Sequence, residues 1–503
     1  MSVTPLPVTP DAPSAPEPSE GGGFGPRGRI AGIVLGPLLA VGLQFFGAPE
    51  GLSSQAWIVV SLAALMLVWW VTEAVPISAT ALVPLIGLPL FGVTSAGDAA
   101  APYADPILFL FIGGFMIAGA IERWNLHARI ALGVASAVGT NPAALIGGFA
   151  LAAALLSMWI SNTATTLMLT PIAVAVAAAM ARQRGEADPA LGAGLVLGVA
   201  YAASIGGMGT PVGSPTNLIA MGFLERNGIA LSFGQWMTLG VPVILLTLPV
   251  LWFLTTRGLK KTTREEAAQG RSVVRQALAD LGPMSKAEVR VGVVFAAVAL
   301  AWMTREVLLT NLPGLGKLTD MSIAVAGALA LFLLPSGDRT PGRERLLDWP
   351  TAERIPWGIV VLFGGGLSLA GAMESSGLSA WLGTEMEALR GLEFWIVLGV
   401  LLVVTLVATE LMSNVATLTA MLPIVAAFAA ALGVNPLLLV FPVSIAASLG
   451  FMLPIATAPN AIAYATGLPS LKRMLWTGFL LNAAGIAAIW AVNTTLAPQV
   501  LGG

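Results

Sequence analysis

The chain contains no cysteine and a single histidine, His127, among 503 residues. The first absence excludes disulfides, thiol catalysis and thiolate-bound metals, and leaves the redox compartment open. The second, with no HExxH-type segment, leaves an intramembrane hydrolase or transferase without its usual nucleophile and base. Charge is scarce as well. Asp, Glu, Lys and Arg make up 10% of the chain against 56% hydrophobic residues, and mean hydropathy is +0.86. These values exclude an ordinary soluble globule. Strand-like alternation over about ten residues is missing too, so the apolar runs are read as helices and not barrel strands. The partner implied by composition is a lipid bilayer, and no nucleic-acid partner is expected.

What is present is a series of apolar segments near the roughly 20 residues a helix needs to cross a bilayer. Residues 1–29, rich in Pro, Ser, Gly and Thr, read as a disordered cytoplasmic tail, without the basic start and cleavage site of a secretory signal. Spans follow near 30–48, 56–75, 77–93 and 105–122, then an amphipathic arm with Arg123, His127 and Arg129 along the membrane surface. The stretch 141–181 has no charge between Leu151 and Met180 yet is interrupted by Ser161-Asn162-Thr163, which predicts a re-entrant hairpin. A broken span, 190–223, is split by GGMGTPVGSPTN, and a helix over 233–256 closes the first half. A charged cytoplasmic connector, 257–290, leads to spans near 291–310 and 319–335 and a charged loop at 336–356. The second half repeats the order: a Gly-rich span at 356–373, an arm at 374–391, and a hairpin over about 393–431 around Ser413-Asn414-Val415. A broken span at 436–467 and a last helix at 470–496 complete it. The predicted fold is an all-α polytopic membrane protein with about eleven transmembrane helices and two re-entrant hairpins, in repeats covering 30–256 and 291–503.

The repeat can be followed residue by residue. Asn414 follows Asn162 by 252 positions, and Phe111, Gly113, Glu122 and Pro171-Ile172 recur at that offset as Phe363, Gly365, Glu374 and Pro423-Ile424. GTPVGSPTN recurs as MLPIATAPN after 243 positions. Chance could supply shared alanines in low-complexity helices, but hardly Glu, Pro-Ile and Ser-Asn in one register. Threading the chain with its N-terminus inside puts 20 Lys and Arg on the cytoplasmic side and four, Arg226, Arg305, Lys317 and Arg390, outside. The C-terminus then falls outside and the hairpins open to opposite faces. That is the inverted-repeat build of many secondary transporters.

SMWISNTAT, TELMSNVAT, the Gly/Ser/Pro-Asn break and the run Thr72 to Pro76 resemble the divalent anion:sodium symporter family, over nearly everything after the tail. The resemblance implies a homodimer whose protomers pair a scaffold with an elevator-like transport domain. It also implies Na+-coupled uptake of a dicarboxylate such as succinate, malate or fumarate, or of a tricarboxylate or sulfate. Carried over by position, it places one Na+ at Ser157, Ser161, Asn162 and backbone near Gly213. A second falls at Thr409, Ser413, Asn414 and backbone near Ala456. Anion contacts fall to Asn162, Thr163, Ser214, Asn414, Val415 and Thr457. Two positions depart from the family pattern: Val415 stands where a hydroxyl residue is often found, and Ala458 where Pro is common.

Residue chemistry points the same way independently. A half-helix that ends at a hairpin tip exposes carbonyl oxygens, which with Ser and Asn oxygens suit a hard cation. A half-helix that begins there exposes N–H groups carrying about half a positive charge, which suit an anion. No Lys or Arg occurs in the four motifs. Rival readings are an anion exchanger or proton-coupled carrier of the same build, and a passive anion channel. Asn217 and Asn460 are expected either to cap the resumed half-helices or to touch ligand. Glu73, Glu122, Glu374 and Glu410, near span ends, are expected to be structural.

Overall fold

Proline and glycine decide where each apolar run stops being a helix. The structure is a computed structural model describing residues 25–138, 141–261, 263–385 and 393–502. Among these residues it is helical throughout, with one isolated bridge between Pro335 and Arg345. Eleven helices are long and apolar enough to cross a membrane. The number equals the predicted span count, but the membership differs. Three of them, Asn162–Arg184, Phe394–Leu411 and Asn414–Leu432, are limbs of the two hairpins. The expected span at 77–93 is instead two short helices, Ile77–Thr80 and Val83–Leu90, with Pro76 and Pro84 at their starts. Asp320–Leu333 is also short, and the second broken span is Leu437–Ala446 followed by Ala458–Ala465.

Other boundaries move for local reasons. The first helix is Gly25–Phe46, so it begins within the stretch read as tail, whose remainder lies outside the described residues. The connector carries its own amphipathic helix, Arg264–Asp280, and the next span starts at Lys286 because Ser285 and Glu288 form a capping box. The first arm is Leu126–Ala137, where the His127 ring nitrogen lies 3.3 Å from the Ile121 carbonyl oxygen. The second arm is Leu378–Glu385; residues 386–391 of the predicted 374–391, with Arg390, lie outside the described residues.

The first broken span is the central post. Its leading half, Pro189–Gly207, is buried along almost its whole length and packs on both limbs of the first hairpin, Pro142–Ser157 and Asn162–Arg184. Close approach depends on small residues: a Cβ at Gly206 would strike the Ala154 backbone. Packing also crosses between the repeats in matched pairs. Gly113 lies against the backbone of Ala324, and its counterpart Gly365 lies against Ala81. The second limb of the first hairpin packs on Ala458–Ala465, while the second limb of the other hairpin packs on Pro215–Arg226. Outward-facing Ile33, Leu38, Phe45, Leu245, Phe253, Val293, Val403 and Val407 leave an apolar exterior that suits hydrocarbon.

Ion pairs tie the helix ends. Arg123 pairs with Asp348, Arg129 with Glu288 at 2.7 Å, and Arg184 with Asp188 at 3.2 Å and Glu266 at 2.9 Å. The Arg184 guanidinium holds the Glu266 carboxyl below the usual carboxylate range. A second group joins Arg226 to Asp105 at 3.1 Å and Arg305 to Asp320 at 2.6 Å.

Candidate functional site

Each hairpin is two helices joined at a polar tip. Ser161 caps Asn162–Arg184 with φ −62 and ψ 144, and its hydroxyl oxygen accepts from Ala164 N at 3.1 Å. Ser413 caps Asn414–Leu432 with φ −63 and ψ 145, accepting from Ala416 N at 3.2 Å. The two tips are therefore the same structure built twice. Each cap leaves the first two N–H groups of its helix free for a ligand: Asn162 and Thr163 in one, Asn414 and Val415 in the other.

Oxygen atoms converge beside the first tip. The Ser157 hydroxyl donates to Asn162 Oδ1 at 2.5 Å. A Cβ added at Gly207 would stand 2.6 Å from Asn162 Oδ1 and 3.0 Å from the Gly213 carbonyl oxygen. One added at Gly213 would stand 2.7 Å from the Gly207 carbonyl oxygen and 3.0 Å from that of Ser157. Four oxygens thus crowd two residues that have no side chain. The Thr210 hydroxyl donates to the Met158 carbonyl and accepts from Gly213 N at 3.1 Å, holding the tip to the break.

The second half repeats this with changes. Thr409 Oγ1 lies 2.8 Å from Asn414 Oδ1 and 2.5 Å from the Ala447 carbonyl oxygen, and one hydroxyl proton cannot serve both. Ala456 takes the place of Gly213, so a Cβ at Gly450 would meet that of Ala456 at 3.1 Å, with the Thr409 carbonyl oxygen at 3.5 Å. Thr457 caps the resumed half-helix and accepts from Asn460 N at 3.3 Å. Ser214 is buried and bonds Thr216 at 2.8 Å, Thr163 is half-buried, and Val415 is buried.

The side chains of Asn217 and Asn460 do not cap the resumed half-helices but reach back across the break. Asn217 Nδ2 donates at 2.7 Å to the carbonyls of both Gly207 and Thr210. Asn460 Nδ2 donates at 2.8 Å to those of Gly450 and Leu453, the same positions after 243 residues. Each amide staples the unwound turn from within. Losing two buried bonds at about 1–3 kcal/mol each, Asn217→Ala is expected to destabilise by about 2–6 kcal/mol. A thermal melt in detergent would read this, and an unchanged midpoint would deny the staple.

Glu410 is structural, as expected, but closer to the site than its position in the sequence suggests. Its carboxylate accepts from Met452 N at 2.9 Å, Leu453 N at 3.0 Å and Asn482 Nδ2 at 2.9 Å. Its counterpart in the first repeat is Met158, so only the second half fixes its break with a carboxylate. Sequence reasoning missed Gly207, Thr210, Thr216, Ser448 and Asn482. Gly207 and Gly450 were within reach, two positions upstream of the repeat GTPVGSPTN/MLPIATAPN.

The sodium:sulfate symporter transmembrane region matches residues 29–501, nearly the whole chain. The chain belongs to this divalent anion:sodium symporter family. It is accordingly a multi-pass transporter and not an enzyme. The sodium-dependent dicarboxylate transporter SdcS of Staphylococcus saprophyticus is 38% identical over 481 residues, covering 94% of this chain and 92% of the relative. SdcS of Staphylococcus aureus (strain USA300) is 36% identical over 482 residues, with the same coverage. The crystal structure of the Alcanivorax borkumensis YdaH transporter, described as having an unusual topology, aligns with a TM-score of 0.58 at 13% identity. It covers 89% of this chain and 99% of its own, and supports the fold of this family member.

Proposed function

We infer that this protein couples Na+ to the uptake of a dicarboxylate of the succinate, malate and fumarate class. The observation that carries the reading is the doubled oxygen cluster, built at Asn162 and again at Asn414 around helix breaks without a basic residue. One Na+ lies among Asn162 Oδ1, the Ser157, Gly207 and Gly213 carbonyls and the hydroxyls of Ser157 and Ser161. The other lies among Asn414, Thr409, Ser413 and backbone near Ala456. Hard cations favour such neutral oxygens, and the N–H groups that open each second limb face the adjacent anion.

The anion rests against Asn162, Thr163, Ser214, Asn414, Val415 and Thr457. Val415 lacks a hydroxyl but keeps its free N–H, so the second tip still offers a donor. Bound Na+ offsets the anion's two charges before the loaded site crosses. Each net positive charge moved inward would gain about 2.3 kcal/mol per 100 mV. The curated relatives named as sodium-dependent dicarboxylate transporters support both ion and cargo.

Crossing occurs by an elevator-like movement of the hairpins and broken helices against a scaffold, in each protomer of a homodimer. The apolar seam of Ile219, Phe223, Leu422 and Pro423 against Phe363 and Leu367 supports sliding, with the Arg226 bonds to the Leu367 carbonyl and to Asp105 among the polar contacts that would have to break. The N-terminus is cytoplasmic and the C-terminus outside. The ion pairs are consistent with that threading: Arg123, Arg129 and Arg184 join residues of one predicted face, Arg226 and Arg305 those of the other.

Uptake of labelled succinate, citrate and sulfate into proteoliposomes, with Na+ or K+ outside, tests this. Succinate is expected to accumulate uphill only under the Na+ gradient. Equal uptake in K+ would overturn Na+ coupling, and uptake dependent on a preloaded internal anion would mark an exchanger.

A further inference from the structure

The two broken helices touch at the edges of their unwound turns. Thr216 Oγ1 lies 2.8 Å from Ser214 Oγ and 3.1 Å from Ser448 Oγ, and the Ser444 hydroxyl donates to the Thr216 carbonyl at 3.2 Å. All four residues are buried. Each end of this chain is one peptide away from a half-site. Ser214 follows Gly213, whose carbonyl belongs to the first oxygen cluster. Ser448 follows Ala447, whose carbonyl lies within hydrogen-bond distance of Thr409, the neighbour of Asn414.

Proton bookkeeping makes this link a switchable element. Ser214, Thr216 and Ser448 have one hydroxyl proton each. Thr216 cannot donate to both neighbours: with its proton on Ser214 or Ser448 the chain has a direction, and with its proton on Asn217 Oδ1, 3.5 Å away, both serines donate to it. An anion that takes the Ser214 proton favours the arrangement in which Thr216 donates to Ser214, its nearer partner, and Ser448 donates to Thr216. Buried hydroxyls at these distances reinforce one another along such a chain. Both half-sites therefore bias a single element, which is what energetic coupling requires.

We propose that Thr216 and Ser448 are positioning residues that couple the two ion half-sites, so that filling one orders the other. The proposal rests on the Na+-coupled reading and adds to it two residues that touch neither ion. Thr216→Val keeps shape without the hydroxyl, Ser448→Ala removes the partner, and Thr216→Ser keeps the hydroxyl. The readout is the Na+ dependence of succinate uptake in proteoliposomes, with monodispersity in detergent as the check on folding.

The wild type is expected to show a Hill coefficient of about 2, Thr216→Val and Ser448→Ala about 1, and Thr216→Ser about 2. Combining the first two is expected to add nothing further. Absence of Na+ stimulation in the wild type takes down the underlying reading. Na+ stimulation with an unchanged coefficient in both hydroxyl-less variants, or a wild-type coefficient already near one, overturns the coupling alone. Loss of the folded species in both variants would make the pair a structural contact and would also overturn it.

Discussion

Asn162→Ala is expected to abolish Na+-stimulated uptake while leaving the protein folded. The side chain is half-buried, and its bond is from the Ser157 hydroxyl, so its removal opens no large cavity. What it removes is the one side-chain carbonyl that meets the Gly207–Gly213 cluster. Residues that merely orient a metal ligand cost about 10–100-fold in affinity when lost, so a direct oxygen ligand is expected to cost more than about 100-fold. Asn414→Ala should do the same at the other half, where Thr409 retains its bond to Ala447. The measurement is succinate uptake against Na+ concentration, with gel filtration for folding. Normal transport by both variants would remove these residues from the mechanism.

Gly207→Ala is expected to produce nearly the same loss by filling space. The new methyl would arrive 2.6 Å from Asn162 Oδ1 and 3.0 Å from the Gly213 carbonyl oxygen. The first of these is the free end of a side chain and can turn away, so the fold can absorb the change. The proposed cation site cannot, because turning Asn162 aside would dismantle its ligand set. Gly206→Ala is the informative contrast. Its methyl would strike the Ala154 backbone, which cannot yield, so this neighbour is expected to misfold. Thermal melting with and without Na+ separates the cases. A ligand at about 100 times its Kd stabilises by about 2.7 kcal/mol. That increment is expected to be much reduced in Gly207→Ala, and a full increment would place the ion elsewhere.

Much of this arrangement was legible in the sequence because duplication leaves a trace that physics alone does not. Ser-Asn at one offset and the Pro-x-x-x-x-x-Asn break at another located both tips and both unwound turns. The caps at Ser161 and Ser413 followed from ordinary helix chemistry. Hydropathy was weaker at counting spans. Hairpin limbs such as Phe394–Leu411 are as apolar as true spans, and the prolines around Ile77–Leu90 shorten a run that reads as continuous. The roles of Asn217 and Asn460 were out of reach, since each bonds carbonyls seven and ten residues upstream. Their direction depends on how the turn unwinds. Ser448 carried no signal at all, because its partner Thr216 is 232 positions away.

The exchange of packing between the repeats bears on biosynthesis. The second limb of the first hairpin ends at Arg184, but the helix it rests on, Ala458–Ala465, is synthesised some 280 residues later. At about 5–20 residues per second that is a wait of roughly 15–60 s. Throughout it the nascent hairpin lacks the partner that Ala458–Ala465 provides in the finished protein. Of the two proposed sodium sites, the one at Thr409 and Asn414 is thus the later to mature, and a ribosome stalled before Ala456 would leave an inserted chain with the first site alone.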